Sequence, residues 1–277
     1  MDTSNRVAII TGAGRGIGRA MTLGLLTVGI RVLAVDRDRE PLDELADLAS
    51  QRQAGTGLET MQADLTHEPV IADILAATLK RFGRVDIVVN NAGIGQGTIR
   101  ADSWNNPVRF WEVEPEQWQR FIAVHSNAPF LLSRLVAPLL VAQGWGRIVN
   151  VTTSLGTMTR GGYAPYGPTK ATTEALTSVM AYDLEGTGVT ANVLVPGGVT
   201  NTAIVPQESG FDRAKMLQPE IMAAPLQYLV SDAAGQVNGR RFLAAHWDAS
   251  LPTAEAAEKA GAPVAWRSIA TLPIVPT

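Results

Sequence analysis

Val7-Ala8-Ile9-Ile10-Thr11-Gly12-Ala13-Gly14-Arg15-Gly16-Ile17-Gly18 sets the architecture of the chain. Its first four residues are apolar without alternation, which suits a strand buried on both faces of a parallel sheet. A glycine-rich turn follows, then a helical stretch to about residue 28, then a second apolar strand over 31–35 that ends on Asp36. Strand, glycine turn, helix and strand make one βαβ unit. Gly12 permits the tight turn, Gly16 lets the backbone approach a pyrophosphate, and Gly18 allows the helix to pack closely on the sheet. The helix start, with Arg15 and Ile17 around it, offers free N–H groups and the positive end of a dipole to phosphates. Asp36 lies 18 residues beyond Gly18, where a carboxylate can accept hydrogen bonds from an adenosine ribose. The plainer alternative is a structural turn followed by a surface aspartate. Because strand, turn, helix and acid occur together, dinucleotide binding is the expectation. Asp36 would repel a 2′-phosphate, which favours NAD over NADP, whereas Arg15 and Arg37 pull the other way.

Strands and helices alternate through the rest of the chain. Strands are expected over 58–63, 85–89, 147–151, 189–195 and 240–245, and helices over 41–50, 67–82, 116–143, 166–184 and most of 211–234. Thr66 is the expected cap of the helix at 67. This alternation predicts an α/β fold: a single doubly wound parallel sheet with helices on both faces. The domain is expected to end near residue 248, leaving 249–277 as a tail with a short helix near 253–260. Residues 94–115 break the pattern and carry Trp104, Phe110 and Trp111. They suit a pocket lining, a subunit contact, or a surface loop tucked onto the body.

Composition narrows the function. No cysteine is present, which excludes disulfides, thiol nucleophiles and thiolate metal sites. The three histidines, at 67, 125 and 246, lack metal-ligand spacing, so no metal is expected. Net charge is −3 with no basic stripe, so neither nucleic acid nor an anionic membrane is an expected partner. The most apolar helix, 130–141, is broken by Ser133, Arg134 and Pro138, and the amino terminus lacks signal-peptide character. A cytoplasmic location is the expectation.

Tyr166-Gly167-Pro168-Thr169-Lys170 carries the chemistry. Residues four apart share one helix face, and Pro168 is tolerated if the helix is only beginning. An ammonium beside a phenol lowers the phenol pKa, so Tyr166 is expected to exchange a proton with an alcohol oxygen.

In these motifs the chain resembles the short-chain dehydrogenase/reductase family. The resemblance covers about residues 5–245. It rests on Thr11-Gly12-x-x-x-Gly16-Ile17-Gly18, Asp64-Leu65, Asn90-Asn91-Ala92-Gly93, Tyr166-x-x-x-Lys170 and Pro196-Gly197, in that order. It implies a Rossmann fold and NAD(P)-linked interconversion of an alcohol and a carbonyl. Tyr166 would be the general acid/base, and Lys170 would hold the nicotinamide ribose and depress the Tyr166 pKa. Asp64 and Leu65 would flank the adenine. Asn90, Ala92 and Gly93 would support the adenosine side. Pro196 and Gly197 would belong to the same cofactor site, with the Val199 backbone facing the carboxamide.

Two positions depart from the family pattern. Thr153 stands where the catalytic serine is usual, with Ser154 one residue later as the reserve; otherwise both are plain strand-end residues. A threonine hydroxyl makes the same hydrogen bond if its stiffer χ1 points correctly. His125 stands at the asparagine position, and Asn127 would serve only if the helix is locally distorted. His125 would either relay protons from Lys170 through water or be a buried, hydrogen-bonded core histidine. The family's late Asp-Gly-Gly is replaced by His246-Trp247-Asp248.

The expected activity is hydride transfer between NAD and a small secondary alcohol or ketone. Substrate contacts are expected from 94–111, 155–163 and 200–211, with Tyr163, Trp104 and Trp111 as an apolar wall. The rival is a dinucleotide-binding protein with weak or no catalysis, regulatory or structural; a related epimerisation or dehydration is a third reading. The resemblance further implies a homotetramer or homodimer through helices near 116–143 and 163–184, with the tail reaching a neighbour.

Overall fold

The computed structural model describes residues 5–52 and 54–267. An eight-stranded sheet runs through it in the order β3-β2-β1-β4-β5-β6-β7-β8. The strands are β1 (Val7–Thr11), β2 (Arg31–Asp36), β3 (Leu58–Gln62), β4 (Ile87–Asn90), β5 (Gly146–Val151), β6 (Val189–Val195), β7 (Arg240–Leu243) and β8 (Gly261–Pro263). All neighbours are parallel except β7 and β8. β1, β4, β5 and β6 are buried along their whole length, as central strands are when helices cover both faces, and β5 and β6 bury Arg147, Asn150, Thr190 and Asn192 among their apolar residues.

One face packs against α1 (Gly16–Thr27), α2 (Arg39–Gln51) and α8 (Ala223–Leu229), through residues such as Met21, Leu25, Leu42, Leu45, Leu226 and Leu229. The other packs against α3 (Val70–Phe82), α5 (Ala128–Gln143) and α7 (Tyr166–Asp183), through Ile71, Ile74, Leu132, Val136, Leu140 and Ala181. β1 pairs with β2 on one side and β4 on the other, so successive crossovers diverge there and open a crevice at the carboxyl ends of the strands.

Several expected boundaries move for local reasons. α3 starts at Val70 with Pro69 before it and no side-chain cap; Thr66 is instead held in the turn after β3 by Asp64, whose Oδ1 accepts from the Thr66 N–H at 2.9 Å and the Thr66 hydroxyl at 2.8 Å. His67 is exposed on that turn. The 211–234 stretch is α-helical only over Ala223–Leu229, the rest being short 3₁₀ turns. The 116–143 helix is two helices, α4 (Pro115–Ile122) and α5, joined by a π-helical turn over Ala123–Asn127. By length and apolarity the whole run would cross a bilayer, longer than the 130–141 core read from sequence, but half of its most apolar window is buried in this fold.

Residues after 248 extend the sheet. α9 (Thr253–Ala260) buries Ala256, Ala257 and Ala260, and β8 adds antiparallel to β7. Val264 is buried, and Arg267 bonds Ser178 and stacks 3.8 Å over the Tyr182 ring of the same chain. Residues 268–277 lie outside the described part.

Asp86 ties the start of β4 to the start of β1 in the middle of the sheet. It is buried, accepts from the Val7 N–H at 2.9 Å, and takes both Nε and Nη2 of Arg84. Asp86→Ala leaves a buried strand N–H without its partner. We expect a loss of about 2 kcal/mol of unfolding free energy, measured by urea denaturation.

Candidate active site

The glycine turn joins β1 to α1. Gly12 has φ +64° and Gly16 φ +53°, left-handed values that favour glycine. A Cβ on Gly18 would stand 1.9 Å from the Gly12 carbonyl oxygen, so only glycine lets α1 sit this close to the turn. Thr11 and Asn91 tie the turn to the end of β4. The Thr11 hydroxyl accepts from the N–H groups of Asn91 and Ala92, both at 3.1 Å. The Asn91 amide donates to the carbonyls of Thr11 and Gly12. The expected role of Asn90 is corrected here. Strand alternation points it into the core, where it bonds Asn150 at 2.7 Å and Ser133 at 3.1 Å. Asn91 is the one at the turn; adjacent asparagines in one motif gave no means to choose between them.

A cavity of about 820 Å³ starts at this turn. Its lining includes Gly12, Arg15, Gly16, Ile17, Gly18, Asp36, Arg37, Asp64, Leu65, Ala92 and Gly93. It continues past Thr153, Ser154, Tyr166 and Lys170 to Pro196, Gly197 and Val199. At the adenosine end, Asp36 accepts from the Gly14 N–H at 2.9 Å and the Asp38 N–H at 3.2 Å. Asp38, unremarked in the sequence, pairs with both Arg15 and Arg37. The hydrogen bond from Arg37 holds the Asp38 carboxyl below its ordinary value and raises the Arg37 guanidinium in turn. Burial pushes Asp64 upward, but the bonds from Thr66 outweigh it and its pKa is lowered. The cavity therefore presents a glycine turn and ribose acceptors in sequence, a set that fits an extended dinucleotide. Among the described residues no cluster of histidine and carboxylates could hold a metal.

Tyr166 opens α7, so Pro168 falls in the first turn. The Thr153 hydroxyl lines the same cavity as the phenol and acts to lower its pKa. Ser154 faces elsewhere: its Oγ pairs with Thr157 Oγ1 at 2.7 Å and caps the short helix α6 (Leu155–Met158). Lys170 is buried and donates to the Val151 carbonyl at 2.8 Å. Its pKa is lowered to about 8 by burial. The expected depression of the Tyr166 pKa by Lys170 is not found in the free protein. Burial raises it, the Thr153 hydroxyl opposes that, and the nearby Tyr163 adds to the rise.

His125 lies in the π-helical turn, buried, with its ring 5.4 Å from that of Tyr166. Its Nε2 accepts from the Ile94 N–H at 3.0 Å, which assigns the proton to Nδ1, and Nδ1 donates to Thr169 Oγ1 at 2.9 Å. Thr169 passes its own proton to the Pro165 carbonyl. Both ring nitrogens are thus used inside the protein, and burial followed by the Lys170 charge holds the imidazole pKa well below its ordinary value. The proton-relay expectation is corrected: His125 is a neutral strut between the 94–98 loop and α7. Asn127 is exposed despite the local distortion. Proline explains the turn. Pro129 has no N–H for the His125 carbonyl, and Thr173 Oγ1 donates to that carbonyl instead.

The substrate end is built by the irregular loops. Tyr163 and Trp104 line the cavity, and Trp104 meets Phe211 edge-on at 4.9 Å. Trp111 is corrected: it is 71% exposed and packs on Phe110. Gln96, Arg160, Thr202 and Ile204, each inside one of the three stretches expected to contact substrate, also line the cavity.

The depressed Lys170 pKa has a thermodynamic consequence. The unfolded chain holds this proton more tightly, so from about pH 8 upward into the ordinary lysine range unfolding takes up a proton. Below that window the burial penalty is fully present. We expect the cofactor-free protein to gain stability as pH rises through it, and Lys170→Met to abolish the gain, measured by denaturant unfolding at a series of pH values.

The profile of the short chain dehydrogenase family matches residues 6–210. The chain is 31% identical over 243 residues to a 3-oxoacyl-[acyl-carrier-protein] reductase of Synechocystis sp., covering 86% of this chain and 94% of the relative. The crystal structure of 3-ketoacyl-(acyl-carrier-protein) reductase from Brucella melitensis complexed with NADH superposes with TM-score 0.74 at 27% identity, covering 87% of this chain and 97% of that one. A metagenomic short-chain oxidoreductase in complex with NADP superposes with TM-score 0.72 at 28% identity, covering 88% and 97%. With the family's glycine turn, its Tyr166-Lys170 pair and its sheet all in register, the chain belongs to the short-chain dehydrogenase/reductase family of oxidoreductases.

Proposed function

We propose that the protein interconverts a secondary alcohol and a ketone with NAD(H) as the hydride carrier. The observation that carries this reading is the presence of Thr153, Tyr166 and Lys170 in the same cavity as the glycine turn. A bound nicotinamide supplies or accepts the hydride; the chain's own residues do the rest. Thr153 donates a hydrogen bond where negative charge develops on the substrate oxygen. Tyr166 gives that oxygen a proton in reduction and takes it back in oxidation. Burial keeps the phenol protonated at neutral pH, which suits the acid role in reduction. Lys170, which bonds the Val151 carbonyl, would hold the cofactor ribose. Trp104, Tyr163 and Ile204 exclude water from the reacting end.

NAD is preferred on two grounds. Asp36 puts a carboxylate at the ribose position, and Asp38 occupies both arginines that would otherwise meet a 2′-phosphate. Asp38→Ala is expected to improve NADPH binding relative to NADH, read as the ratio of the two dissociation constants by cofactor fluorescence. Exposed Trp118, Phe130, Val179 and Tyr182 on α4, α5 and α7 support a homodimer or homotetramer through those helices; light scattering tests it.

The decisive test uses NADH and a panel of ketones. Tyr166→Phe is expected to lower kcat by about two to four orders of magnitude with NADH binding retained. Turnover near wild type would end the proposal. Tight NADH binding with no wild-type turnover on any ketone would favour the non-catalytic reading.

A further inference from the structure

Tyr166 and Lys170 are the first two members of a longer row. Glu174 follows at the same spacing of four, on the same face of α7, and is completely buried. Each member reaches the carboxyl end of β5. Tyr166 shares the cavity with Thr153, whose hydroxyl acts to lower the phenol pKa; Lys170 bonds the Val151 carbonyl, and Glu174 Oε2 accepts from the Thr152 hydroxyl at 2.7 Å. The second Glu174 oxygen accepts from Arg241 Nε at 3.0 Å and from the Ala265 N–H at 3.1 Å. Arg241, on β7 and 7% exposed, sends its other arm to the Thr153 carbonyl at 3.0 Å.

A buried ion pair is a poor device for stability alone. Well-packed apolar residues of similar volume often serve as well or better, because two charges must be taken out of water. What apolar residues cannot do is hold a hydroxyl and a carbonyl on two successive residues. This pair does both, at Thr152 and Thr153. Ser154, the next residue, is held separately by its capping bonds to Thr157. The backbone that carries the Thr153 hydroxyl is therefore fixed on every side. One of those fixings comes from the segment after β8.

We propose that Glu174 and Arg241 are positioning residues that clamp Thr152 and Thr153, so that the Thr153 hydroxyl stays aimed at the Tyr166 phenol, with the arm around Ala265 closing the clamp. The proposal rests on the reading of Thr153 and Tyr166 as the reacting pair. Neither Glu174 nor Arg241 lines the cavity, so neither touches substrate or cofactor.

The test compares the full chain with two variants. Glu174→Leu/Arg241→Leu removes both charges together and leaves neither unpaired. Arg241→Lys keeps the charge opposite Glu174 but lacks the second arm for Thr153. Thermal unfolding checks that each is folded. The first reading is tyrosine ¹³Cζ NMR, with the Tyr166 resonance assigned through Tyr166→Phe. Both folded variants should move this resonance toward its position in Thr153→Val. The second reading is steady-state reduction of ethyl acetoacetate by NADH. kcat should fall by about tenfold with the NADH dissociation constant within about twofold, and adding Thr153→Val to the double variant should cost much less than in wild type. A Tyr166 resonance unmoved in a folded variant, or a full Thr153→Val penalty in the double variant, overturns the clamp. If the wild-type chain reduces no ketone at all, the proposed function falls, while the Tyr166 resonance still decides the clamp.

Discussion

The contact between Gly12 and Gly18 is the constraint on which the site depends. With 1.9 Å between the Gly12 carbonyl oxygen and the place a Cβ would take, α1 starts directly beneath the end of β1. That closeness aims the first N–H groups of α1 along the crevice and leaves room for a phosphate-sized group between turn and cavity. The same turn is stitched to β4 by Thr11 and Asn91, so the strand ends on either side of the topological switch move as one body. Everything further along the cavity is placed relative to that edge.

At the other end, the carboxyl end of β5 and the first turns of α7 form a second rigid unit. Its bonds are polar and buried, which is costly unless every partner is satisfied. Thr152 and Arg241 both bond Glu174, Arg241 also bonds the Thr153 carbonyl, and Lys170 bonds the Val151 carbonyl. The phenol and hydroxyl are thus presented by groups with little freedom, which is what preorganised catalysis needs. Burial of the Lys170 ammonium lowers its pKa to about 8.

His125 illustrates how a substitution in a motif can change a residue's work. Nothing in a helical pattern says whether an imidazole will meet solvent or be enclosed. Enclosure, a backbone donor from Ile94 and an acceptor in Thr169 together make it a fixed spacer between the loop after β4 and α7. The π-helical turn that carries it follows from Pro129, whose missing N–H releases a carbonyl that Thr173 then takes.

The order of strands and helices, the glycine turn, and the spacing of Tyr166 from Lys170 were legible in the chain, because each depends on local periodicity or on residues a few positions apart. So were the helix at 253–260 and the candidacy of Thr153. Other features depend on partners far along the chain. Asn91 rather than Asn90 serves the turn because of strand facing. Asp38 quiets Arg15 and Arg37 because three side chains meet on one rim. Trp104 finds Phe211 while Trp111 does not, and Glu174 finds Arg241 and Ala265. The upward shift of the Tyr166 pKa belongs to the same group. Residue spacing reports which side chains share a helix face; how deeply the phenol is buried, which raises its pKa, is a property of the packed tertiary structure alone.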